Sequence, residues 1–150
     1  IPVELTDNMD KLWKNRYKDI VNLENYLANN GISVLKIFLN VSKKVQGQRE
    51  IDRIKDLSKN WKFADGDVKE RTFWKEYMKA YEDAINETST KENPWYIVPA
   101  DDKKNMRLIV SKLLFEKLKS LKVEYPVSSE ERSAQLQNFV KIIEEQDADL

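Results

Sequence analysis

The sequence predicts an α/β fold, rich in helix, with two short parallel strands. Two apolar runs of β-branched and aromatic residues, Ile32 to Val41 and Trp95 to Pro99, are flanked by turn residues and short enough for strands. Around them apolar positions recur at three- and four-residue spacing, the mark of amphipathic helices. The resulting order is helix, strand, helix, loop, helix, strand, helix, helix. Strand–helix–strand in that order implies a right-handed crossover between parallel strands. Two strands alone make a poor sheet.

Taken in order, Asp7 is the expected N-cap of the first helix. Met9, Leu12, Trp13, Arg16, Ile20, Leu23 and Leu27 give it one stripe, and Asn29-Asn30-Gly31 stops it, with Gly31 suited to the left-handed position past the helix end. The run 32–41 is nearly continuous in apolar residues, as in a sheet covered on both faces; Lys36 interrupts it and must reach solvent or a partner. A helix is expected from Lys43, with Val45, Ile51 and Ile54 inward and Gln46, Arg49 and Arg53 at polar positions. Gly47 costs this helix roughly 1 kcal/mol against Ala, so its first turn is expected to fray.

Asp67-Val-Lys-Glu70 is a capping-box pattern that predicts the next helix start. From there Trp74, Tyr77, Met78, Tyr81, Ala84 and Ile85 share a face, while Arg71, Lys75 and Lys79 form a basic stripe at its edge. Asn93-Pro94 closes the following loop and Trp95 to Pro99 is the second strand. Asp101 is the expected cap of a helix with Met106, Ile109, Val110, Leu113, Leu114, Leu118 and Leu121 inward. Tyr125-Pro126 is a break. Ser128-x-x-Glu131 then predicts a last helix with Leu136, Phe139, Val140 and Ile143 on one face. No repeat or low-complexity segment interrupts Leu12 to Leu121, so the one candidate boundary lies near Pro126.

The chain has 150 residues, 35% of them charged and 41% hydrophobic, which is enough for one globular domain. Its 26 basic and 26 acidic side chains cancel, so any anion site must come from local clustering. Without cysteine or histidine there is no disulfide, no Cys/His zinc site, no thiol nucleophile and no imidazole catalysis. No apolar run approaches the ~18 residues of a membrane span. Lacking a disulfide framework or a signal segment, the expected location is cytoplasmic. The start at Ile1-Pro2 reads as a fragment, a processed product or a trimmed chain.

The basic cluster comprises Arg49, Arg53, Lys59, Lys62, Arg71, Lys75 and Lys79. Arg49 and Arg53 are one helical turn apart, so they are expected to point the same way. Guanidinium forks suit phosphate oxygens, but by spacing alone a basic stripe is most often a solvated charged face. Trp61, Phe63, Trp74 and Tyr77 read as core before base-stacking platforms. Asp101, Asp102 and Lys103 follow the second strand, at the end where α/β sheets bind ligands.

Several stretches repeat a known pattern. Trp61-Lys62-Phe63 is followed by D-x-x-x-R-x-x-W-x-x-Y-x-x-A-Y from Asp67 to Tyr81, T-x-T-x-x-x-P-W-Y from Thr88 to Tyr96, and P-A-D-D-K from Pro99 to Lys103. Together, over about Leu12 to Pro126, the chain resembles the polyphosphate kinase 2 family. The resemblance implies phosphotransfer between inorganic polyphosphate and a nucleotide (AMP/ADP or GMP/GDP), on a three-layer P-loop kinase fold of the thymidylate-kinase type. It makes residues 1–126 the C-terminal part of the catalytic domain, with a helical lid over about 46–81 and a helical tail at 127–150. It implies Arg71 and Arg53 as catalytic residues, Arg49, Lys62 and Lys75 as lid residues on polyphosphate, and Lys103 and Arg107 near nucleotide or phosphate. It further implies Mg²⁺, with no ligand assigned in this chain, a homo-oligomer, and neither nucleic acid nor membrane as partner.

A P-loop enzyme needs G-x-x-x-x-G-K to cradle phosphates and an acidic strand end for Mg²⁺. The three glycines, Gly31, Gly47 and Gly66, are not so arranged, and the family's D-R-S-W-Y strand end is absent. Both are expected before Ile1, so catalysis belongs to a longer protein. Val45, Gly47 and the pair Glu50-Ile51 depart from the residues usual in the family. The rival readings are a non-catalytic helical interaction module with the lid fold, and a kinase of the nucleoside-monophosphate type.

Overall fold

The computed structural model describes residues 8–148. Residues up to Lys117 form one compact unit and those from Leu118 a second. The helices are α1 Met9–Asn29, α2 Lys43–Lys55, α3 Asp65–Glu70, α4 Trp74–Thr88, α5 Lys103–Ser120 and α6 Glu130–Ala148. The strands are β1 Lys36–Asn40 and β2 Trp95–Pro99, and single 3₁₀ turns occupy Asn60–Lys62 and Arg71–Phe73. The fold is α/β and helix-rich. The two strands pair in parallel, from Lys36 opposite Trp95 to Asn40 opposite Pro99, as the strand–helix–strand order requires.

Local chemistry explains most of the boundaries. The side chain of Asn8, not Asp7, caps α1 by accepting from the Lys11 amide at 2.9 Å; Asp7 lies outside the described residues. At the other end Gly31 has φ +77°. The Ile32 amide donates to Leu27 at 2.9 Å and the Gly31 amide to Ala28 at 3.1 Å, a Schellman ending. Strand β1 is shorter than the apolar run that predicts it. Helix α2 begins firmly rather than frayed, because Ser42 Oγ accepts from the Val45 amide at 3.2 Å.

The Asp67 capping box is not used. Helix α3 starts three residues earlier, after Ala64, with no side-chain cap, so Asp65 and Asp67 both lie in its first turn, where carboxylates complement the helix dipole. The backbone then tightens into the 3₁₀ turn at Arg71 and reopens as α4 at Trp74. Arg71 therefore sits at a joint between two helices and does not begin one.

The register puts Phe38 and Ile97 on one face of the sheet and Val98 and Leu39 on the other. Val98 is 2% exposed and Ala100 is also buried. The Phe38 and Tyr81 rings are 5.0 Å apart, which packs α4 on β1, and α1 in turn packs on α4. Leu39 and Ile97 remain 46% and 57% exposed. Each face is thus covered only in part by the described residues. The expected inward stripe of α5 is partly open: Ile109 and Leu114 are exposed, whereas Met106, Val110 and Leu113 are half-buried.

Lys36 finds a partner. Its ammonium is buried, 2.8 Å from Glu24 Oε2 and 2.6 Å from the Thr88 carbonyl oxygen, and lies 5.5 Å from the centre of the Trp95 ring. Trp95 Nε1 donates to Thr88 Oγ1 at 2.9 Å. One cation thereby links α1, β1, the end of α4 and β2.

In the second unit, Ser129 Oγ caps α6 by accepting from the Arg132 amide at 3.1 Å, one residue later than the Ser128 pattern predicts. Leu136, Phe139, Val140 and Ile143 of α6 are exposed.

Candidate functional site

The candidate site gathers at the carboxyl ends of β1 and β2. The Ala100 amide donates to the Asn40 carbonyl at 2.8 Å, which keeps the two chain exits side by side. From these exits α2 and α5 both begin. Helix α2 opens with Lys43-Lys44 and α5 with Lys103-Lys104, and neither has an acid in its first turn. Lysines there oppose the stabilising arrangement of charge along a helix. What they add is positive potential at helix ends that already attract anions.

The two adjacent aspartates divide the work. Asp102, not Asp101, caps α5: its Oδ1 accepts from the amides of Lys104 at 2.8 Å and Asn105 at 3.0 Å. Asp101 Oδ1 instead accepts from the Ser42 amide at 2.7 Å. That backbone bond, then the Ser42 hydroxyl, and further on the charge of Arg49, hold the Asp101 carboxyl below its ordinary range. Arg49 Nη2 donates to the carbonyls of Ala100 at 2.7 Å and Asp101 at 3.0 Å. Arg49 therefore straps α2 to the exit of β2.

Arg71 reaches α2 from the joint before α4. Its Nη1 donates to Gln46 Oε1 and to the Lys43 carbonyl, the latter at 3.3 Å. Its guanidinium lies over Gly47, where an added Cβ would come within 2.8 Å of Nη2. The unexpected glycine thus leaves room for the arginine. Arg71, Gln46, Glu50, Glu70, Trp74 and Tyr77 line an open cleft of about 290 Å³. Tyr77 donates its hydroxyl to Glu70, and that carboxylate raises the phenol's pKa.

Ala at position 47 would gain helix propensity worth about 1 kcal/mol, and the atom it displaces is the far end of a flexible side chain. Gly47→Ala is therefore expected to raise stability in urea unfolding by up to about 1 kcal/mol. A net loss would mean that Arg71 is held too firmly on α2 to move.

The remaining predicted residues are not convergent. Arg53 does not share Arg49's partners: its Nη1 pairs with Glu50 Oε2 at 2.6 Å. Lys62 is exposed in the 3₁₀ turn, its ammonium 5.1 Å from the Trp61 ring centre. Trp61 is exposed, so it is not core. The loop there is shaped by Asp56, which Lys59 first, and then Ser58, hold down to about 2. Lys75 is exposed on α4, and Lys103 and Arg107 are exposed on the first turns of α5. Lys79 pairs with Asp83 at 2.8 Å, the ordinary i,i+4 arrangement.

Sequence reasoning gave Glu50 and Gln46 no partner at the site and did not single out Ser42. Glu50 was legible as the acid three residues before Arg53 on a helix. Gln46 and Ser42 were not, because their partners lie 25 and 59 residues away.

The chain matches the family model for polyphosphate kinase 2 over residues 5–126. It is 48% identical over 124 residues to an ADP-polyphosphate phosphotransferase of Rhodopseudomonas palustris, covering 83% of this chain and 43% of that protein. An AMP/ADP-polyphosphate phosphotransferase of Meiothermus ruber is 42% identical, with 77% of this chain and 43% of that protein covered. An uncharacterised protein from the chlN 3′ region of Leptolyngbya boryana is 49% identical over 91% of this chain and 100% of its own length. The crystal structure of polyphosphate kinase 2 from Arthrobacter aurescens TC1 superposes with a TM-score of 0.80 at 36% identity, over 89% of this chain and 47% of that one. The chain thus spans less than half the length of the two phosphotransferases and of the solved kinase. A family match over most of the residues and a shared fold at this identity agree with the motifs from Trp61 to Lys103, and the chain belongs to the polyphosphate kinase 2 family.

Proposed function

We propose that this chain is the lid-bearing part of a cytoplasmic, polyphosphate-dependent nucleotide phosphotransferase. The single observation that carries the reading is the pair of Lys-Lys helix starts at adjacent strand exits, strapped by Arg49 and approached by Arg71. The names of the Rhodopseudomonas and Meiothermus relatives support polyphosphate and AMP or ADP as the substrates.

Phosphoryl transfer asks the protein for positive groups around the moving phosphoryl and its leaving oxygens more than for covalent chemistry. In this proposal Arg71 and Arg53 face the transferring phosphoryl, Arg49, Lys62 and Lys75 follow the polyphosphate chain, and Lys103 and Arg107 lie near the nucleotide. Residues 46–81 act as the lid, 1–126 belong to the catalytic domain and 127–150 form a tail. The exposed apolar residues of β1, β2 and α5 favour a homo-oligomer or a further covering element.

Magnesium does not fit the described residues. Among the described residues no group of three or more acids can hold a metal ion, and Asp101 and Asp102 are spent on Ser42 and on the α5 cap. No step here runs through it. Among the same residues no helix is long and apolar enough to cross a membrane.

The test is titration of the chain with inorganic polyphosphate, read by tryptophan emission at low and high salt, alongside luciferase assays for ATP from polyphosphate with ADP or AMP, adenylate kinase excluded. Binding that weakens with salt is the expected result; no binding at low salt overturns the proposal. A second reading, a non-catalytic module with the lid fold, is favoured by the Leptolyngbya relative, which matches along its whole length. Binding without transfer in the natural protein would support it.

A further inference from the structure

We infer that Glu50 is a built-in competitor for the polyanion at Arg53. Its Oε2 lies 2.6 Å from Arg53 Nη1, the place that a phosphate oxygen would take, and its side chain is 15% exposed against 35% for the arginine. Glu50 also lines the cleft beside Arg71. The other arginines at the site are held differently: Arg49 donates to backbone carbonyls, and Arg71 to a carboxamide and a carbonyl. Arg53 alone among these three meets a carboxylate, which neutralises it in advance.

The consequence concerns selectivity. A phosphate oxygen reaches Arg53 only by displacing Glu50, and the freed carboxylate then repels the incoming anion. A ligand that also engages Arg71 and the lysines at the helix starts overcomes that opposition, whereas one isolated phosphate does not. Glu50 therefore biases the cleft toward chains of phosphate and against orthophosphate. This inference rests on the proposal that Arg53 meets polyphosphate.

The experiment measures affinity of the chain for inorganic polyphosphate and for orthophosphate in the wild type, Glu50→Gln, Glu50→Ala and Arg53→Ala/Glu50→Gln. Glu92→Gln, an exposed loop position, serves as the control for the unit change in net charge. Glu50→Gln and Glu50→Ala are expected to bind polyphosphate about fivefold more tightly and to show orthophosphate binding that the wild type lacks. Glu92→Gln should stay within about twofold of wild type, since screening weakens a distant exposed charge. The gain should vanish in the double variant, which has no Arg53 to release. Unchanged or weaker binding in both Glu50 variants overturns the inference, as does an equal gain from Glu92→Gln. Absence of polyphosphate binding in the wild type itself would instead overturn the function proposed above.

Discussion

Lys36→Met is expected to cost about 3–5 kcal/mol of folding free energy. Methionine fills most of the lysine's volume, so the cost is electrostatic rather than a cavity. The substitution leaves the Glu24 carboxylate in the interior without its cation and takes a donor from the Thr88 carbonyl at the end of α4. That carbonyl sits at the negative pole of the α4 dipole, where a cation is favoured. Domains of this size have about 5–15 kcal/mol in total, so the loss removes between about a fifth and all of the folding margin.

The double variant Lys36→Met/Glu24→Leu separates two accounts. A buried ion pair replaced as a whole by apolar residues is often neutral or stabilising, whereas one broken from a single side is not. Urea unfolding followed by far-ultraviolet circular dichroism should therefore show most of the loss recovered in the double variant. A cost below about 1 kcal/mol for Lys36→Met, the worth of a surface pair, would mean that water reaches Glu24 and that the link between α1 and α4 is dispensable.

Lys36 also shows what the sequence made legible and what it did not. Its need for a partner followed from one charge inside an apolar run, but Glu24 could not be named, because it lies on a different element with an exposed-looking pattern around it. Element types and order were readable from periodicity, as were Gly31 and both strands. The caps were readable only to within one or two residues. Asn8 for Asp7, Asp102 for Asp101 and Ser129 for Ser128 are choices between neighbouring acceptors, decided by where the chain arrives. Asp101 was freed from capping because the strand pairing brings Ser42 to it, a contact no local pattern contains. The apolar stripe of α5 predicted burial, yet helical spacing says only which face is apolar, not what covers it. The clustering of Arg49 with the Asp101 carbonyl needed the register of the two strands.

Arg71→Ala is expected to lower polyphosphate affinity at least tenfold, and the proposed phosphotransfer by a similar factor, with the fold retained. The argument turns on what each cation already faces. Lys79 is paired with Asp83, and Arg53 with Glu50, so part of their charge is spent. Arg49 holds the strand exit to α2, so its removal would confuse a binding loss with a structural one. Arg71 donates only to the neutral acceptors Gln46 and the Lys43 carbonyl, at the edge of the cleft, and keeps its full positive charge for a ligand. A charge-assisted hydrogen bond contributes about 1.5–3 kcal/mol, and 1.4 kcal/mol is a factor of ten, which sets the lower bound. Its loss should cost little stability, because Gln46 and Lys43 lie where water can replace the guanidinium. Circular dichroism would confirm the fold, and the lysine variant refines the test: Arg71→Lys keeps the charge but not the fork, so recovery of most of the affinity would show that charge dominates geometry. Wild-type binding by Arg71→Ala would remove Arg71 from the site and shift the weight to Arg49, Arg53 and the paired lysines at the two helix starts.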